Sequence, residues 1–318
     1  MERQKHVLRV VMPVHNARAY VDEALRSVLD DLPEQAEVVV VDDGASDGSS
    51  EVVDRIASKD GRVVVLRHAT AKGVSEAINA GIRYGSCPPF VAIAEHDDLV
   101  VPGRFATQLA ALDEQPRLAA VSGEGQYVGP SGRVFGRVSV GPGNAKEMSA
   151  ARRSLEPILI PHPAIMYRTE AILDAGLYDS AFDGAQDLEI INRLVFGFDW
   201  DVVSVPERHV LYRLHDSATS FATLSRQRSI TRYVRYRNAL QFEGLPFASF
   251  DEWSQRPHPD NGAARRWARH DRGALYYRRA GLAWLEHRRS AFVRYYALAL
   301  LFHPRWVCVK TRVLIGRR

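Results

Sequence analysis

Two pairs of adjacent carboxylates, Asp42-Asp43 and Asp97-Asp98, each follow an apolar run that predicts a buried strand. Residues 38–41 are four consecutive valines, a pattern typical of a parallel strand covered on both faces. Ligands of open α/β sheets bind beyond the carboxyl ends of the strands. Acids there can hydrogen-bond a base or a ribose, or hold a metal that in turn binds phosphates. The alternative is that Asp42-Asp43 only caps the next helix.

A divalent metal is the second chemistry that these acids suggest. Mg²⁺ and Mn²⁺ prefer carboxylate oxygens and often bridge to phosphate. Since parallel strands end at the same edge of a sheet, one pair can serve a nucleoside and the other a metal–diphosphate. For Asp97-Asp98 the alternative is a helix N-cap before Pro102.

Alternating strands and helices must position these acids, and we predict an α/β fold with a mostly parallel central sheet flanked by helices. The pattern predicts strands over residues 7–14, 38–41, 62–66, 90–94 and 119–122, with helices over 20–29, 46–56, 75–84 and 104–112. Beyond residue 122 the alternation breaks. We expect a hairpin within 123–143, a strand over 157–167, helices over 169–175 and 185–196, and a last strand over 202–213.

The chain of 318 residues accommodates one large domain with an appendage. We expect a catalytic domain over 1–223, with a nucleotide-binding half over about 7–122 and an acceptor-binding half over about 123–223. Residues 224–318 form a basic helical C-terminal region. The two cysteines are far apart, which favours a reducing compartment, and we see no secretory signal and no apolar run of membrane-spanning length.

Charge is distributed unevenly along the chain. Residues 225–318 contain 20 Lys and Arg against 6 Asp and Glu, whereas the first 224 residues contain 22 against 32. Apolar and aromatic residues interleave with the arginines of this region, which favours a helix lying on an anionic membrane surface. The alternative is a helical cap with solvated arginines. No nucleic-acid recognition motif accompanies the charge, so we expect no nucleic-acid partner.

Four motifs in order resemble the family 2 glycosyltransferases of GT-A fold, over about residues 7–220. They are the segments at 13–16 (PVHN), 41–48 (VDDGASDG), 73–81 (GVSEAINAG) and 95–98 (EHDD). The resemblance implies a GT-A fold and an enzyme that transfers a sugar from a nucleotide-diphosphate donor to an acceptor hydroxyl. It further implies inversion of the anomeric centre and the use of Mg²⁺ or Mn²⁺.

The resemblance also assigns residues to the donor site. Pro13, His15 and Asn16 would border the nucleoside, Asp43 or Asp42 would hydrogen-bond the base, and Lys72, Gly73 and Asn79 would line the nucleotide pocket. Asp97 and Asp98 match the metal-binding DXD element, in which Glu95 replaces the usual first Asp and adds a methylene. For His15, usually an aromatic position, an ordinary packed side chain is the alternative to a stacking role.

The catalytic base is expected at Asp187, because residues 183–189 resemble the family's Glu-Asp element with Gln186 in place of the Glu. Direct displacement needs a carboxylate that accepts the proton of the attacking hydroxyl. Glu189, about 200° further around the helix, is a weaker candidate. The alternative for Asp187 is an acid that only complements the helix dipole.

Two further positions carry expectations from the resemblance. His162 would lie on the acceptor side, or else be a structural turn residue. Arg213 and His215 would neutralise the departing diphosphate, unless their loop is simply solvated.

The leading hypothesis is an inverting glycosyltransferase at the cytoplasmic face of the plasma membrane, acting on a glycan or lipid-linked acceptor. A sugar-nucleotidyltransferase is disfavoured because no Gly-rich basic loop follows the first strand, and no G-x-G-x-x-G supports a dinucleotide-dependent oxidoreductase. Glu95 and Gln186 leave open a catalytically impaired binding or scaffold protein of the same fold.

Overall fold

The computed structural model describes residues 6–129, 132–214, 223–256 and 262–315. The chain divides into two compact units. The first comprises Met1–Val128, Val134–Arg213 and Val234–Phe247, and the second comprises Gly129–Arg133, Leu214–Tyr233 and Ala248–Arg318.

The first part of the central sheet is parallel, as predicted. Its strands are β1 (Leu8–Val14), β2 (Ala36–Asp43), β3 (Val63–His68) and β4 (Phe90–Ile93), in the order β3-β2-β1-β4. Helices α1 (Val21–Asp31), α2 (Ser49–Ala57) and α3 (Val74–Arg83) connect them. The strand ends therefore lie at one edge of the sheet, where parallel α/β folds place their ligands.

The packing of β2 on both faces explains its run of four valines. Val38 and Val40 pack with α1 and α2 on one face of the sheet, whereas Val39 and Val41 pack with α3 on the other. Successive side chains of a strand point to opposite faces, so the middle of a strand that is covered on both sides is apolar at every position.

The sheet beyond β4 is mixed. It contains β5 (Leu99–Val100), β6 (Leu118–Val128), β7 (Val134–Val138), β8 (Met166–Arg168) and β9 (Asp201–Arg213), and it continues the order as β4-β8-β6-β9-β5 with β7 paired to β6. Only the β6–β9 pairing is parallel among the described pairs of this part. Its helices are α4 (Arg104–Glu114), α5 (Ala145–Ser154), α6 (Thr169–Asp174) and α7 (Gln186–Gly197).

Two local expectations fail in this part of the fold. The strand expected over 157–167 exists only as β8, because Pro157, Pro161 and Pro163 remove backbone donors and a short 3₁₀ turn, His162–Ala164, precedes the strand. Helix α5 was not expected. It begins at an N-cap, Asn144, whose side chain accepts a hydrogen bond from the Glu147 amide.

The boundary expected at residue 223 is also different in the structure. Helix α8 (Leu224–Phe242) begins in the second unit, but from Val234 onward the chain belongs to the first. The reason is a buried carboxylate, Glu189 on α7, which forms ion pairs with Arg193 and with Arg237 of α8. A buried charge needs such partners, so this half of α8 is part of the α/β unit.

The second unit also contains α9 (Phe250–Gln255), α10 (Ala263–Leu285), α11 (Arg289–Phe302) and α12 (Pro304–Ile315). Its buried Asp271 pairs with Arg228 and Arg232. None of the helices that the structure describes is both long enough and apolar enough to cross a membrane.

His209 on β9 makes stability depend on pH. Burial, and secondarily the charge of Arg104, lower the pKa of His209 from 6.5 to about 4. Between these values the unfolded chain binds a proton that the folded chain does not, so stability falls as the pH falls. We expect this group to account for roughly 2–3 kcal/mol of the loss between pH 7 and pH 4.5.

Urea unfolding of wild type and His209→Leu at the two pH values measures this contribution. The variant is expected to lose less free energy of unfolding on acidification than the wild type. Equal losses in the two proteins would contradict the assignment to His209.

Candidate active site

The end of β2 is built around Asp43. One carboxylate oxygen lies 2.9 Å from the amide nitrogen of Lys72 and 2.6 Å from His68 Nδ1, and the other accepts from the amide of Gly73 at 2.9 Å. Burial opposes the charged form, but the hydrogen bonds from His68 and the two amides outweigh it and lower the pKa of Asp43. Asp43 therefore fixes the loop that leads into α3.

Asp42 has a similar local task. It is 4% exposed, and its oxygens accept from the Ala45 amide and the Ser50 hydroxyl. These bonds shape the turn from β2 into α2. Both carboxylates thus accept hydrogen bonds from the surrounding loops, and recognition of a base by either one remains a prediction.

His15, Asn16 and Lys72 are exposed at this corner. His15 Nδ1 lies 2.8 Å from the Asp43 carbonyl oxygen, and Asn16 Oδ1 accepts from the Ser46 amide at 2.9 Å. Because His15 is exposed, the packed-side-chain alternative does not describe it. Pro13 is buried in β1, and its carbonyl oxygen lies 3.0 Å from His96 Nδ1.

Asn79 is buried in the fold, and its expected place in a nucleotide pocket remains a prediction. It is 2% exposed, and its amide makes reciprocal hydrogen bonds of 2.8 and 3.0 Å with the backbone of Tyr178. Both ends of the amide are used by this segment. Asn79 therefore connects α3 to the chain that leads toward α7.

In the acidic turn after β4, two of the three expected metal ligands are hydrogen-bonded to other residues. Asp98 is 6% exposed and accepts from the Arg213 amide at 2.8 Å, while Glu95 Oε1 lies 2.9 Å from His162 Nδ1. Burial, and then the charges of Asp97 and Glu95, raise the pKa of Asp98 well above its ordinary value. Within the described ranges no three His, Cys, Asp or Glu side chains converge as a metal site.

Asp97 is the carboxylate of this turn that suits a metal. It is only partly buried, unlike Asp98. Mg²⁺ in nucleotide sites is commonly held by one or two carboxylates together with phosphate oxygens, so three protein ligands are not required. The crowding of negative charge around Asp98 is also an environment that a cation would relieve. The donor chemistry therefore fits a divalent metal held by Asp97 and a diphosphate.

Arg213 braces the acidic turn. Its Nε donates to the Asp97 carbonyl at 2.9 Å and its Nη2 to Glu23 at 2.7 Å, and the guanidinium lies over the Tyr20 ring. In this arrangement the side chain serves the turn, and its contact with a diphosphate remains a prediction. His215, expected beside it, lies outside the described residues.

Asp187 lies in the first turn of α7. It is partly buried, and the described part of the chain offers its carboxylate no hydrogen-bond or ion-pair partner. Gln186 accepts a hydrogen bond from the Gly184 amide at 2.9 Å, a local role that the family's Glu can also fill. Glu189 is excluded as a base because it is 1% exposed and held by two arginines.

The end of β2, with His15, Asn16, Lys72 and the loop that Asp43 holds, is here called the donor corner. Asp183 connects it to the segment that carries Asp187. It accepts hydrogen bonds from both the amide and the hydroxyl of Ser75, in the first turn of α3. An acid from a distant segment thus satisfies the N-terminus of this helix. Gly73, immediately before α3, also binds Asp43, so both sides of the site meet at this point.

We expect Gly73→Ala to be destabilising through both backbone strain and a steric contact. Gly73 has φ +99°, and an added Cβ would lie 2.5 Å from an Asp183 oxygen. The comparison variant is Gly103→Ala. Gly103 also precedes a helix with a positive φ, +88°, but its ψ of −2° lies in the left-handed region and it has open space around it, whereas Gly73 has ψ 162°, a conformation essentially restricted to glycine. Urea unfolding should show about 1–3 kcal/mol for Gly73→Ala and less for the control. Equal losses would show that neither the backbone conformation of Gly73 nor its contact with Asp183 adds to the cost.

His162 is buried at the centre of a polar chain. Its Nδ1 contacts Glu95, its Nε2 lies 2.9 Å from the Tyr178 hydroxyl, and that hydroxyl lies 2.8 Å from the hydroxyl of Tyr167. Burial favours the neutral ring, but the hydrogen bond and charge of Glu95, assisted by Asp187, raise the pKa of His162. Both ring nitrogens are used, so His162 has none left for an acceptor.

Arg104 is a structural residue of the site that sequence reasoning missed. It is fully buried and donates to the carbonyls of Ile93, Pro163 and Ile165, which lie at the end of β4 and around the His162 turn. Burial lowers its pKa to about 9, against the opposing charges of nearby acids. In the sequence Arg104 is only a charged residue at the start of a predicted helix, a position that does not indicate burial.

Comparison with known proteins agrees with this fold. The mannosyltransferase PcManGT from Pyrobaculum calidifontis, in complex with GDP-Man and Mn²⁺, superposes with a TM-score of 0.59 over 96% of this chain and 86% of its own, at 17% identity. TarS 1–349 of S. aureus in complex with UDP-GlcNAc gives a TM-score of 0.56 over 91% and 89%, at 15% identity. The strand order and the acids at the strand ends therefore define a protein of the GT-A fold.

The family follows from the sequence. The profile of glycosyl transferase family 2 matches residues 9–172, and the chain belongs to this family. The succinoglycan biosynthesis protein ExoU of Rhizobium meliloti is 34% identical over 101 residues, which cover 32% of this chain and 29% of that protein. The first curated relatives are likewise matched over only about a third of their length.

Proposed function

We propose that this chain is an inverting glycosyltransferase that transfers a sugar from a nucleotide-diphosphate donor to an acceptor hydroxyl. The observation that carries the proposal is Asp187, a partly buried carboxylate without a hydrogen-bond partner among the described residues. Its segment is joined to the donor corner through Asp183 and Ser75. Residues 7–122 would bind the nucleotide and residues 123–223 the acceptor.

The reaction would be a single displacement. Asp187 accepts the proton of the acceptor hydroxyl as its oxygen attacks the anomeric carbon, and the bond from that carbon to the diphosphate oxygen breaks. The bonding electrons leave with the nucleotide diphosphate, and the proton stays on Asp187. Attack opposite the leaving group inverts the anomeric centre.

The donor corner would orient the nucleotide through His15, Asn16, Lys72 and the loop that Asp43 holds. Bound Mg²⁺ or Mn²⁺ would neutralise charge on the departing diphosphate, and Asp97 would hold the metal. Support comes from PcManGT, which is described with GDP-Man and Mn²⁺, and from TarS, described with UDP-GlcNAc.

A thermal-shift screen with UDP, dTDP and GDP, each with and without Mn²⁺, tests the donor class. A ligand that binds the native state selectively raises the unfolding temperature by mass action. The selected donors are then assayed for transfer and for slow hydrolysis. A chain that binds a nucleotide but neither transfers nor hydrolyses any sugar would instead be a binding or scaffold protein.

We also propose a place in cell-surface polysaccharide or glycolipid assembly, with a glycan or lipid-linked acceptor. The support is the relationship to ExoU, whose name places it in succinoglycan biosynthesis. Radiolabelled donor incubated with a membrane extract would show transfer into polymer or lipid. Label that enters neither fraction would contradict this placement.

The second unit is proposed to attach to the anionic inner face of the plasma membrane, on the cytoplasmic side. Val293 and Leu301 of α11 are 63% and 68% exposed and lie two turns apart on one face, which also presents Arg294. Exposed apolar residues beside arginines suit an interface with anionic lipid.

Sedimentation with vesicles tests this attachment. We expect binding to phosphatidylglycerol vesicles that is lost with pure phosphatidylcholine and weakened in a Val293→Ser/Leu301→Ser double variant. Equal binding of the variant and the wild type to anionic vesicles would contradict the assignment of this face.

A further inference from the structure

Glu95 occupies the position of a DXD acid, but the structure directs its side chain elsewhere. Its Oε1 lies 2.9 Å from His162 Nδ1, and the two side chains are 19% and 6% exposed. The contact joins residues 67 positions apart in sequence. It begins a buried polar chain of Glu95, His162, Tyr178 and Tyr167, here called the Glu95 chain.

The length of the Glu side chain matters for this contact. An Asp at position 95 would be shorter by one carbon–carbon bond of about 1.5 Å, which would take the carboxylate out of hydrogen-bond distance of His162. Glu95, the residue that departs from the family pattern, is therefore the residue that allows the Glu95 chain to form.

Surrounding residues hold the Glu95 chain at several points. Arg104 donates to the carbonyl of Ile93, two residues before Glu95, and to that of Pro163, next to His162. Asn79 holds the backbone of Tyr178. Among the described residues, none of the four side chains has a buried nitrogen or oxygen atom without a hydrogen-bond partner, as a buried polar network requires.

The Glu95 chain lies in the electrostatic surroundings of Asp187. Tyr167 and Tyr178 lie in one apolar cluster with residues 190–191 of α7, three and four positions beyond Asp187, so the Glu95 chain packs beside the helical turn that carries the proposed base. Burial is the largest influence on the pKa of each ring, upward for the tyrosines and downward for His162, and the charge of Asp187 makes a smaller upward contribution to all three.

We infer that Glu95 is a positioning residue that holds His162 and Tyr178 beside Asp187, and that it is not a ligand of the metal. Asp97 supplies the metal-binding carboxylate of the turn. This assignment rests on the proposed function, since it gives Glu95 a task in the geometry of that same site.

Two substitutions separate the roles, because one keeps the reach of the side chain and the other keeps its charge. Glu95→Gln retains the length and an acceptor oxygen, whereas Glu95→Asp retains the carboxylate but not the contact. A positioning role is impaired more by Asp, and a metal-ligand role more by Gln.

The first measurement uses the metal-free protein in EDTA and needs no substrate. Glu95→Asp is expected to lower the urea midpoint more than Glu95→Gln, and to abolish a downfield, solvent-protected imidazole N–H resonance that His162→Asn identifies. Wild-type stability together with a retained resonance in Glu95→Asp would overturn the inference.

The second measurement is Mn²⁺ titration followed by electron paramagnetic resonance, with and without UDP. Asp97→Asn is expected to weaken Mn²⁺ binding by about tenfold or more, and Glu95→Gln far less. If Glu95→Gln weakens binding as much as Asp97→Asn, Glu95 is a metal ligand and the inference is wrong.

With a donor in hand, Glu95→Asp is expected to lower kcat by roughly 10- to 100-fold and more than Glu95→Gln, with little change in nucleotide affinity. The reverse order would overturn the inference. If no donor is turned over, the proposed function fails, but the metal-free comparison still decides whether Glu95 positions His162.

Discussion

Asp187→Asn is expected to lower sugar transfer by a factor of about 10² to 10⁴. The amide cannot accept the proton of the attacking hydroxyl, so the displacement loses its general base. The change is nearly isosteric and removes no hydrogen bond of the described residues, because the carboxylate has no such partner. Turnover should therefore fall while the fold and nucleotide binding are kept.

The measurement is kcat for transfer, alongside nucleotide affinity and the unfolding temperature of each variant. Gln186→Glu is the neighbouring control. It restores the acid of the family pattern while keeping an acceptor for the Gly184 amide, so we expect a folded and active enzyme. Full turnover of Asp187→Asn would show that the base lies elsewhere.

Arg237→Met is expected to lower the free energy of unfolding by about 3 kcal/mol. Arg237 and Glu189 form an ion pair in which the side chains are 5% and 2% exposed. Removing the arginine leaves a buried carboxylate whose one remaining ion-pair partner among the described residues is Arg193. The loss arises from the unpaired charge that remains, which is more costly than the pair is stabilising.

Arg235→Met provides the matched control from the same helix. Arg235 pairs with Glu156, but these side chains are 59% and 58% exposed. Exposed pairs are screened by water, so we expect less than about 1 kcal/mol for this variant. Urea denaturation measures the free energy of unfolding of both variants and the wild type. Equal losses would mean that α8 from Val234 onward is not integral to the α/β unit.

The parallel half of the fold could be predicted because its signals are local. Four valines in a row identify a strand buried on both faces, and the helices between the strands show their apolar residues at helical spacing. The mixed half was less predictable. Strand direction and pairing there depend on partners such as β6 and β9, and no short-range pattern specifies them.

The boundary between the two units likewise depends on contacts between distant segments. The motifs end before residue 224, and the composition becomes basic there, so a boundary at that point was the natural expectation. The pairing of Glu189 with Arg237 spans 48 residues and cannot be read from either segment alone. It transfers part of a helix of the basic region into the first unit.

The strand-end acids lie at the edge of the sheet that the sequence predicts, but the hydrogen bonds that engage these carboxylates were not all foreseen. Acids at strand ends, the Gly-rich turns and the acid in the first turn of α7 follow from residue types at short spacing, and these are determined locally. The residues around each acid then decide whether it is exposed, buried or already hydrogen-bonded.

Those surroundings come from far along the chain. Asp43 is held by residues 25 to 30 positions away, Asp98 by Arg213 at 115, and Asp183 by Ser75 at 108. The sequence alone was sufficient for the family, for the α/β class and for the edge of the sheet at which the strand-end acids lie. Only the folded chain shows which carboxylates are engaged and which one, Asp187, has no such partner among the described residues, because burial and hydrogen bonding are properties of distant segments brought together.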